Sequence, residues 1–316
     1  MPFTDEVTRT DAGALIPEDA ANVIIKDASK ESAALTLFRQ ASMSRKQQRM
    51  PALSAFPQAF FRDGDTGLAQ VTKASWGNKY LNAEEIVTIV PVPLAVIEDA
   101  DFDIWGELTP MCSEAIGRAI DAAVFFGTGI PTSWGTSLAA QAVAAGNMVT
   151  YGTATAAQGG IAGDIGAAMS LVEADGYDVN GFVGPRNFKG ALRGLRDTTG
   201  QKLLDVVSAN GSYSIEGDPL VLAMDGQWPA PAGLGAARLF VGDWSQQIVA
   251  VRRDISYKVM TEGVLTDATG KVIFNLPQQG MAALMLTCRV AWASANPITR
   301  SNAVDPCPVA IVRTAP

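Results

Sequence analysis

The stretch from Asp103 to Gly127 constrains the fold most. Apolar residues recur there at Ile104, Leu108, Met111, Cys112, Ala115, Ile116, Ala119, Ile120, Ala123 and Phe126. Steps of three and four place them on one face of a helix. Glu107, Ser113, Glu114, Arg118 and Asp121 fall mostly off that face. Asp99, Asp101 and Asp103 precede the run, so a carboxylate is at hand to cap the first turn and complement the helix dipole. Gly127 and Gly129 can end the helix in the left-handed conformation. At ~1.5 Å per residue it would be roughly 36 Å long, about the width of a small domain. Pro110 conflicts with this reading, because a proline inside a helix removes a hydrogen bond and crowds the preceding turn. Two arrangements accommodate it. The helix starts near Asp103 and bends at Pro110, or it starts at Thr109 as N-cap with Pro110 at its first position.

A chain of 316 residues with 48% hydrophobic content can build one large or two medium domains around such a helix. Its longest apolar runs fall short of the ~18 residues of a membrane span. The opening MPFTDEVTRTDAG is acidic and has no apolar centre, so no signal peptide is expected. Cys112, Cys288 and Cys307 are odd in number, widely spaced and form no CxxC, which argues against a disulfide framework or a zinc site and fits a reducing compartment. There is no histidine. Ser-His-Asp and Cys-His catalysis are therefore excluded, with histidine-based metal sites. The net charge of −8 opposes a surface that grips phosphates, and the only basic run is Arg45-Lys46-Gln47-Gln48-Arg49. An acidic protein can still enclose nucleic acid without sticking to it.

In chain order, residues 1–16 read as an arm. Pro17-Glu18-Asp19 opens a helix through Val23 and Ile24. A second helical piece carries Ala33, Ala34, Leu37, Phe38 and Ala41. Residues 44–97 read as a long two-stranded excursion. Ala59-Phe60-Phe61-Arg62 leads into the turn Asp63-Gly64-Asp65-Thr66-Gly67, Leu68 to Trp76 leads back, and Glu84 to Ile97 is a β-branched run. Pro91 and Pro93 suit an edge strand or a strand end. A ribbon this long cannot bury both faces by itself, so it is expected to lie on a partner, its own chain or a neighbour. Residues 131–245 alternate helices (Ile161 to about Gly176; from Pro185 through Phe188 to Leu195) with short strands (Phe182–Gly184, Tyr213–Ile215, Pro219–Ala223, Leu239–Val241), as an α/β lobe does. From Gln246 the chain is mostly strand, with Ile255, Tyr257 and Val259 alternating and Met281–Trp292 a long buried strand. Residues 299–316 read as a C-terminal tail with one short strand at Val309–Val312.

No constellation supports catalysis, a cofactor or a metal. Gly159-Gly160-Ile161-Ala162-Gly163-Asp164-Ile165-Gly166 precedes a helix but lacks the Lys-Ser/Thr of a P-loop and the spacing of GxGxxG, so it reads as a flexible loop. Asp99, Asp101 and Asp103 do not match a calcium loop, and capping explains them. Lys73 and Lys79 flank Trp76 as exposed ribbon charges.

The order of parts resembles the major capsid proteins of tailed bacteriophages with the Hong Kong 97 fold. Local stretches are similar as well: Leu15-Ile16-Pro17; Pro93-Leu94-Ala95-Val96-Ile97-Glu98-Asp99-Ala100 leading into the long helix; Asp175 to Val183 with Pro185-Arg186, Leu192 and Leu195-Arg196-Asp197; Gly242-Asp243-Trp244-Ser245-Gln246; Arg252-Arg253-Asp254-Ile255-Ser256; and Arg289-Val290-Ala291-Trp292 with Pro297. The resemblance covers roughly 15–298. It implies an α+β chain with an N-terminal arm and first helices (1–43), an extended β-hairpin loop (44–97), the spine helix of a peripheral domain (98–130), an axial α/β domain (131–245), peripheral strands (246–298) and a C-terminal tail (299–316). It implies a non-enzymatic shell subunit that forms hexamers and pentamers around DNA, makes no sequence-specific contact with it and meets no membrane. The virion is then the protein's location and the host cytoplasm its place of synthesis. Separate scaffolding, portal and decoration proteins are the further partners. Candidate inter-subunit contacts are Phe60, Phe61, Arg62, Asp63, Asp65, Lys73, Trp76 and Lys79 of the extended loop, with Arg9 and Asp11 of the arm.

Two rivals stand beside this reading: an encapsulin-type shell, and a cytosolic α/β enzyme, which the missing histidine disfavours. Some members of the capsid family cross-link a loop lysine to an asparagine with the help of a glutamate. Counting back from Pro297, those two positions fall near Gly280 and Thr287, so acceptor and catalyst are both missing. Assembled particles boiled in detergent should therefore run as a single monomer band on a denaturing gel; a ladder of covalent oligomers would refute this.

Overall fold

The computed structural model describes residues 32–62, 68, 70–99, 103–195, 213–223, 228, 237–267, 269–302 and 306–314. The expected arm, the helix opened by Pro17 and the turn at 63–67 lie outside these residues. In chain order the elements are α1 (Ala33–Leu37), β1 (Arg39–Ser42), β2 (Gln47–Ala55), β3 (Ser75–Asn82), β4 (Glu84–Pro93), α2 (Leu94–Asp99) and α3 (Ile104–Asp121). There follow α4 (Leu138–Ala145), β5 (Met148–Thr150), α5 (Ile161–Ala174), β6 (Gly181–Pro185), α6 (Phe188–Arg193), β7 (Tyr213–Ile215), β8 (Asp218–Ala223) and β9 (Ala237–Gly242). The last are β10 (Gln247–Met260), β11 (Val264–Thr266), β12 (Val272–Asn275), α7 (Leu276–Gln279), β13 (Met281–Ser294) and β14 (Val309–Arg313). They form two compact units. Of the described residues, the first is built from those within 85–117 and 253–289, the second from those within 32–84, 118–252 and 290–314. The chain passes from one to the other inside β4, α3, β10 and β13.

The long helix forms as a single element through Pro110. Asp103 caps it, its Oδ1 accepting from the Trp105 N–H at 3.1 Å. Thr109 lies inside the helix, its hydroxyl donating to the Trp105 carbonyl at 2.7 Å, so the alternative start at Thr109 is not taken. One wide turn, Ala122–Phe126, continues the helix, and Gly127 ends it with φ +77°. A side chain there would be strained by that φ and would also meet the Ser137 hydroxyl at 3.1 Å. The buried face differs from the expected one. Cys112, Ile116, Ile120 and Ala123 are buried, but Met111, Ala115 and Ala119 are exposed, and Ser113 and Asp121 are buried in their place.

In the second unit a six-stranded sheet runs in the order β5-β14-β9-β6-β8-β7. Strand β14 lies parallel to β5 and antiparallel to β9. The reading of 299–316 as a tail is thereby corrected: Val309 to Val312 are wholly buried in the middle of the sheet. The sequence carried the cue, since Val309-Ala-Ile-Val is an uninterrupted apolar run of the kind that fills a strand buried on both faces. Helix α5 packs Ile165, Ala168 and Val172 against Phe182, Leu239, Val241, Ala310 and Val312. Gly242 is obligatory for the closeness of this packing, since a Cβ there would sit 2.4 Å from the Pro308 carbonyl oxygen. A second cluster sets Phe125 and Phe126 edge-on or tilted against Phe240, with Trp244 stacked on Phe38 at 5.7 Å. Ala41, expected in a helix, lies instead in β1, which pairs parallel with β10 from Arg39↔Ile248 to Ser42↔Val251. Pro185, expected to open a helix, ends β6, and the helix begins at Phe188.

In the first unit the strand order is β10, β13, β4. The expected strand to Ile97 stops at Pro93, where the chain turns into α2 and the Leu94 N–H donates to the Gly280 carbonyl at 2.8 Å. Strands β11 and β12 form a separate hairpin around the expected turn, where the Asp267 carboxylate accepts from the backbone N–H groups of Thr269 and Lys271. The Thr287 and Ser256 hydroxyls of the neighbouring strands β13 and β10 are hydrogen-bonded at 2.7 Å.

Ile311→Ala separates a tail from a core strand. As a core strand it should lose about 2–5 kcal/mol in chemical denaturation; a surface tail would change by less than about 0.5 kcal/mol.

Candidate interaction surface

The excursion is a ribbon of β2 and β3 paired antiparallel from Gln47↔Asn82 through Met50↔Lys79 to Leu53↔Trp76, with a bulge between Leu53 and Ala55. It is shorter than expected. Ala59 to Arg62, Leu68 and the return from Gln70 to Lys73 are irregular, and β4 belongs to the other unit's sheet. Leu81 at its root is buried. Farther out, Trp76 and Tyr80, four residues apart and so on one face, are 67% and 48% exposed. Phe60, Phe61, Leu68 and Val71 are exposed beyond the strands. Of the candidate contacts, Phe60, Phe61, Arg62 and Lys73 thus lie together in the irregular stretch, and Trp76 and Lys79 on β3, all exposed. Asp63, Asp65, Arg9 and Asp11 lie outside the described residues. Leaving such aromatics in water forfeits about 1.5–3 kcal/mol each relative to burial, so the ribbon has the character of a surface awaiting a partner.

The root of the ribbon is tied down by contacts that no sequence pattern signalled. Asn82 is their hub. Its Nδ2 donates to the Ser133 carbonyl at 3.0 Å, its Oδ1 accepts from Gln47 Nε2 at 2.9 Å, and its carbonyl accepts from the Trp134 indole N–H at 2.8 Å. The Ser133 hydroxyl donates to Glu84 at 2.7 Å, and the Ala83 N–H to the Lys46 carbonyl at 2.8 Å. Trp134 stands edge-on to the buried Trp292. At the far end of β2, Arg300 lies 4.9 Å over the Phe56 ring. A single exposed contact of that kind contributes about 0.5–1 kcal/mol, less than the root's several bonds together.

The first unit also leaves apolar side chains in water: Val87 and Ile89 of β4, Leu94 and Val96 of α2, Met111 of α3, Val259 at the end of β10, and Val264, Val272 and Ile273 of the β11–β12 hairpin. None of these is named from the sequence as a candidate contact, and the periodicity puts Met111 on the buried face of its helix. Their nearest ion pair, Arg289 to Glu85 at 2.7 Å, is half exposed and contributes little.

Residue 32, where the described chain begins, is anchored by a buried carboxylate. Asp121, 3% exposed, accepts from the Ser32 hydroxyl at 2.7 Å and from the Ala33 and Ala34 N–H groups at 3.0 Å each. It thus caps α1 from 89 residues away. Burial outweighs these bonds and pushes its pKa up to about 6. Burial also raises the Cys112 thiol and the Tyr177 phenol; the latter donates to the Pro297 carbonyl at 2.6 Å. Asp164, beneath the glycine-rich loop, is occupied by the Gly152 and Ala154 N–H groups. Among the described residues no three metal-ligating side chains cluster, and no helix is long and apolar enough to cross a membrane.

Comparison with known proteins bears on this surface. A profile of the phage capsid family matches residues 12–298. A solved structure from Microbacterium phage Oxtober96 is 36% identical, with a TM-score of 0.78 over 98% of this chain and 100% of its own. One from Mycobacterium phage Bobi is 28% identical, with a TM-score of 0.78 over 98% and 99%. The major capsid protein of Staphylococcus phage 80alpha is 25% identical over 85% of this chain and 78% of its own.

Asp121 makes stability depend on pH. A carboxyl whose folded pKa lies above its unfolded value of ~3.9 stabilises most below that value, and the contribution is lost as pH rises through the folded pKa. Wild type should therefore lose up to about 3 kcal/mol between pH 4 and 7 from this group. The non-titrating Asp121→Asn should show a flatter profile, whatever its absolute stability. Thermal melts across that range check it, and parallel profiles would refute it.

Proposed function

The chain belongs to the phage capsid family, as a structural subunit of a shell with the Hong Kong 97-type fold, and on that premise we propose that its copies assemble as hexamers and pentamers into an icosahedral particle around double-stranded DNA. The observation that carries this is where apolar surface stays in water. Among the described residues, and apart from Met148, the large exposed apolar side chains of the second unit all belong to the ribbon and the stretch beyond it, and the remaining ones belong to the first unit. A subunit whose ribbon lies across the first unit of the next copy would cover both sets at once. Such a contact is heterologous, and with a rotation that closes it gives the rings from which a shell is built. In this reading the ribbon and its tip, with Phe60, Phe61, Arg62, Asp63, Asp65, Lys73, Trp76 and Lys79, form the inter-subunit loop. Arg9 and Asp11 belong to an arm that clasps a neighbour, α3 is the spine, and the α/β lobe meets its copies at the ring centre.

The chain is assigned no catalytic activity, and the shell encloses DNA without sequence-specific contact, the net charge of −8 helping to keep the two from sticking. Synthesis in the host cytoplasm and separate scaffolding, portal and decoration proteins complete the reading.

Electron microscopy of the purified protein under assembly conditions tests it. Wild type should form closed particles, and DNA rather than enzyme cargo inside particles from infected cells separates it from an encapsulin. Phe61→Asp and Trp76→Ala should abolish particles while leaving subunit stability within about 0.5 kcal/mol, as exposed positions do. Discrete wild-type monomers under all conditions would overturn the proposal.

A further inference from the structure

We propose that the bonds at Asn82, Glu84, Ser133 and Trp134 are a positioning lock that fixes the direction in which the ribbon leaves its lobe. A two-stranded ribbon is held to its own body only where its strands enter and leave. Here that place is the pair Gln47↔Asn82. The turn Thr132–Trp134, distant in sequence, is inserted beside it. Every polar group of the Asn82 side chain and its carbonyl is used by this arrangement. Nδ2 and the carbonyl face the turn through Ser133 and Trp134, and Oδ1 faces the opposite strand through Gln47. Glu84, two residues on, takes the Ser133 hydroxyl. The ribbon is thus tied to the turn by three bonds through Asn82 and Glu84, and Asn82 is in turn tied to the opposite strand through Gln47, which fixes the direction of its root. Trp134 is itself immobilised, 9% exposed and packed on Trp292. The bonds to the turn all lie at the root, away from the outer strands, so they act on the ribbon's aim; only the Gln47–Asn82 bond also crosses between its two strands. Farther out, the end of β2 meets residues 298–300 again, with Arg300 over the Phe56 ring beside a cavity lined by Ser54, Gln58 and Ile298, but that arginine is exposed. A ribbon aimed in advance binds without first losing orientational freedom, which is the usual source of gain from preorganisation.

The consequence for assembly rests on the proposed shell function; the lock does not. Spin labels placed at Asn78→Cys on the ribbon and Glu173→Cys on α5, both exposed, measure the aim directly in the unassembled chain, since the three native cysteines are buried. One narrow distance distribution is expected in the otherwise wild-type chain. Trp134→Phe keeps the ring and removes the indole donor, and Ser133→Ala with Glu84→Ala removes the other tie. Combined, they should broaden the distribution at least about twofold and lower particle yield on the order of tenfold, with strand pairing of the ribbon by hydrogen exchange unchanged. Glu84→Gln, which keeps the acceptor for Ser133, should behave as wild type. A broad wild-type distribution, or an unchanged one in the combined variant, overturns the lock. A variant that loses its melting transition is replaced by Trp134→Phe alone, for which the same two outcomes decide. Wild type that shows the narrow distribution but forms no particles counts against the shell function and leaves the lock standing.

Discussion

The insertion of β14 between β5 and β9 is the constraint on which the second unit depends. Without it the six-stranded sheet would be cut in two, and α5 would lose part of the surface beneath Ile165, Ala168 and Val172. The strand arrives from the far end of the chain, so the lobe cannot close until nearly the whole sequence is present. Asp175 secures that return. One oxygen accepts from Asn302 Nδ2 at 2.7 Å, the other from Asn147 Nδ2 at 2.8 Å and the Cys307 N–H at 3.0 Å. A partly buried carboxylate that takes three donors from three segments costs little to bury, because its lone pairs are nearly all used.

The rest of the molecule is under-covered by comparison. A hairpin of β2 and β3 with its aromatics in water, and a unit that exposes valines from five elements, are poor solutions for a solitary protein. They are sensible for one that finds its missing burial in identical neighbours. The energy withheld from the isolated subunit becomes the energy of the shell, and that division lets one chain be soluble first and assembled later. The lock at Asn82 fits the same division, since it stabilises the direction of the ribbon and leaves its aromatic face uncommitted.

Most helices and strands of the lobe were legible, because their apolar periods are strong and bounded by glycine or proline. Helix α5 and strands β6, β8 and β9 lie where periodicity put them. The face of α3 was legible only in part. Period fixes the spacing of a stripe but alanine, at Ala115 and Ala119, says little about its phase, and Ser113 and Asp121 are buried where a polar rule puts them outside. Asp121 can be inside because Ser32 and the N–H groups of Ala33 and Ala34 reach it, which no local window contains. The candidate contacts of the ribbon were visible as aromatics beside turn residues. The valines of the first unit were not, since an exposed valine in a strand has the same sequence signature as a buried one.

The sequence by itself determined the long helix and its glycine end, the ribbon, the α/β lobe, the exclusion of histidine chemistry and, through the order of these parts, the family. Each of those is a property of local pattern, or of composition, and survives without knowing what packs on what. Tertiary structure alone decided that Pro110 is carried inside α3, that residues 309–313 are core and not tail, that a carboxylate at 121 caps a helix at 33, and that the ribbon is anchored through Asn82 and Trp134. These depend on partners some 50 to 90 residues away or more, or on helix ends set by their surroundings, and no period or propensity encodes which distant donor a buried acceptor will meet.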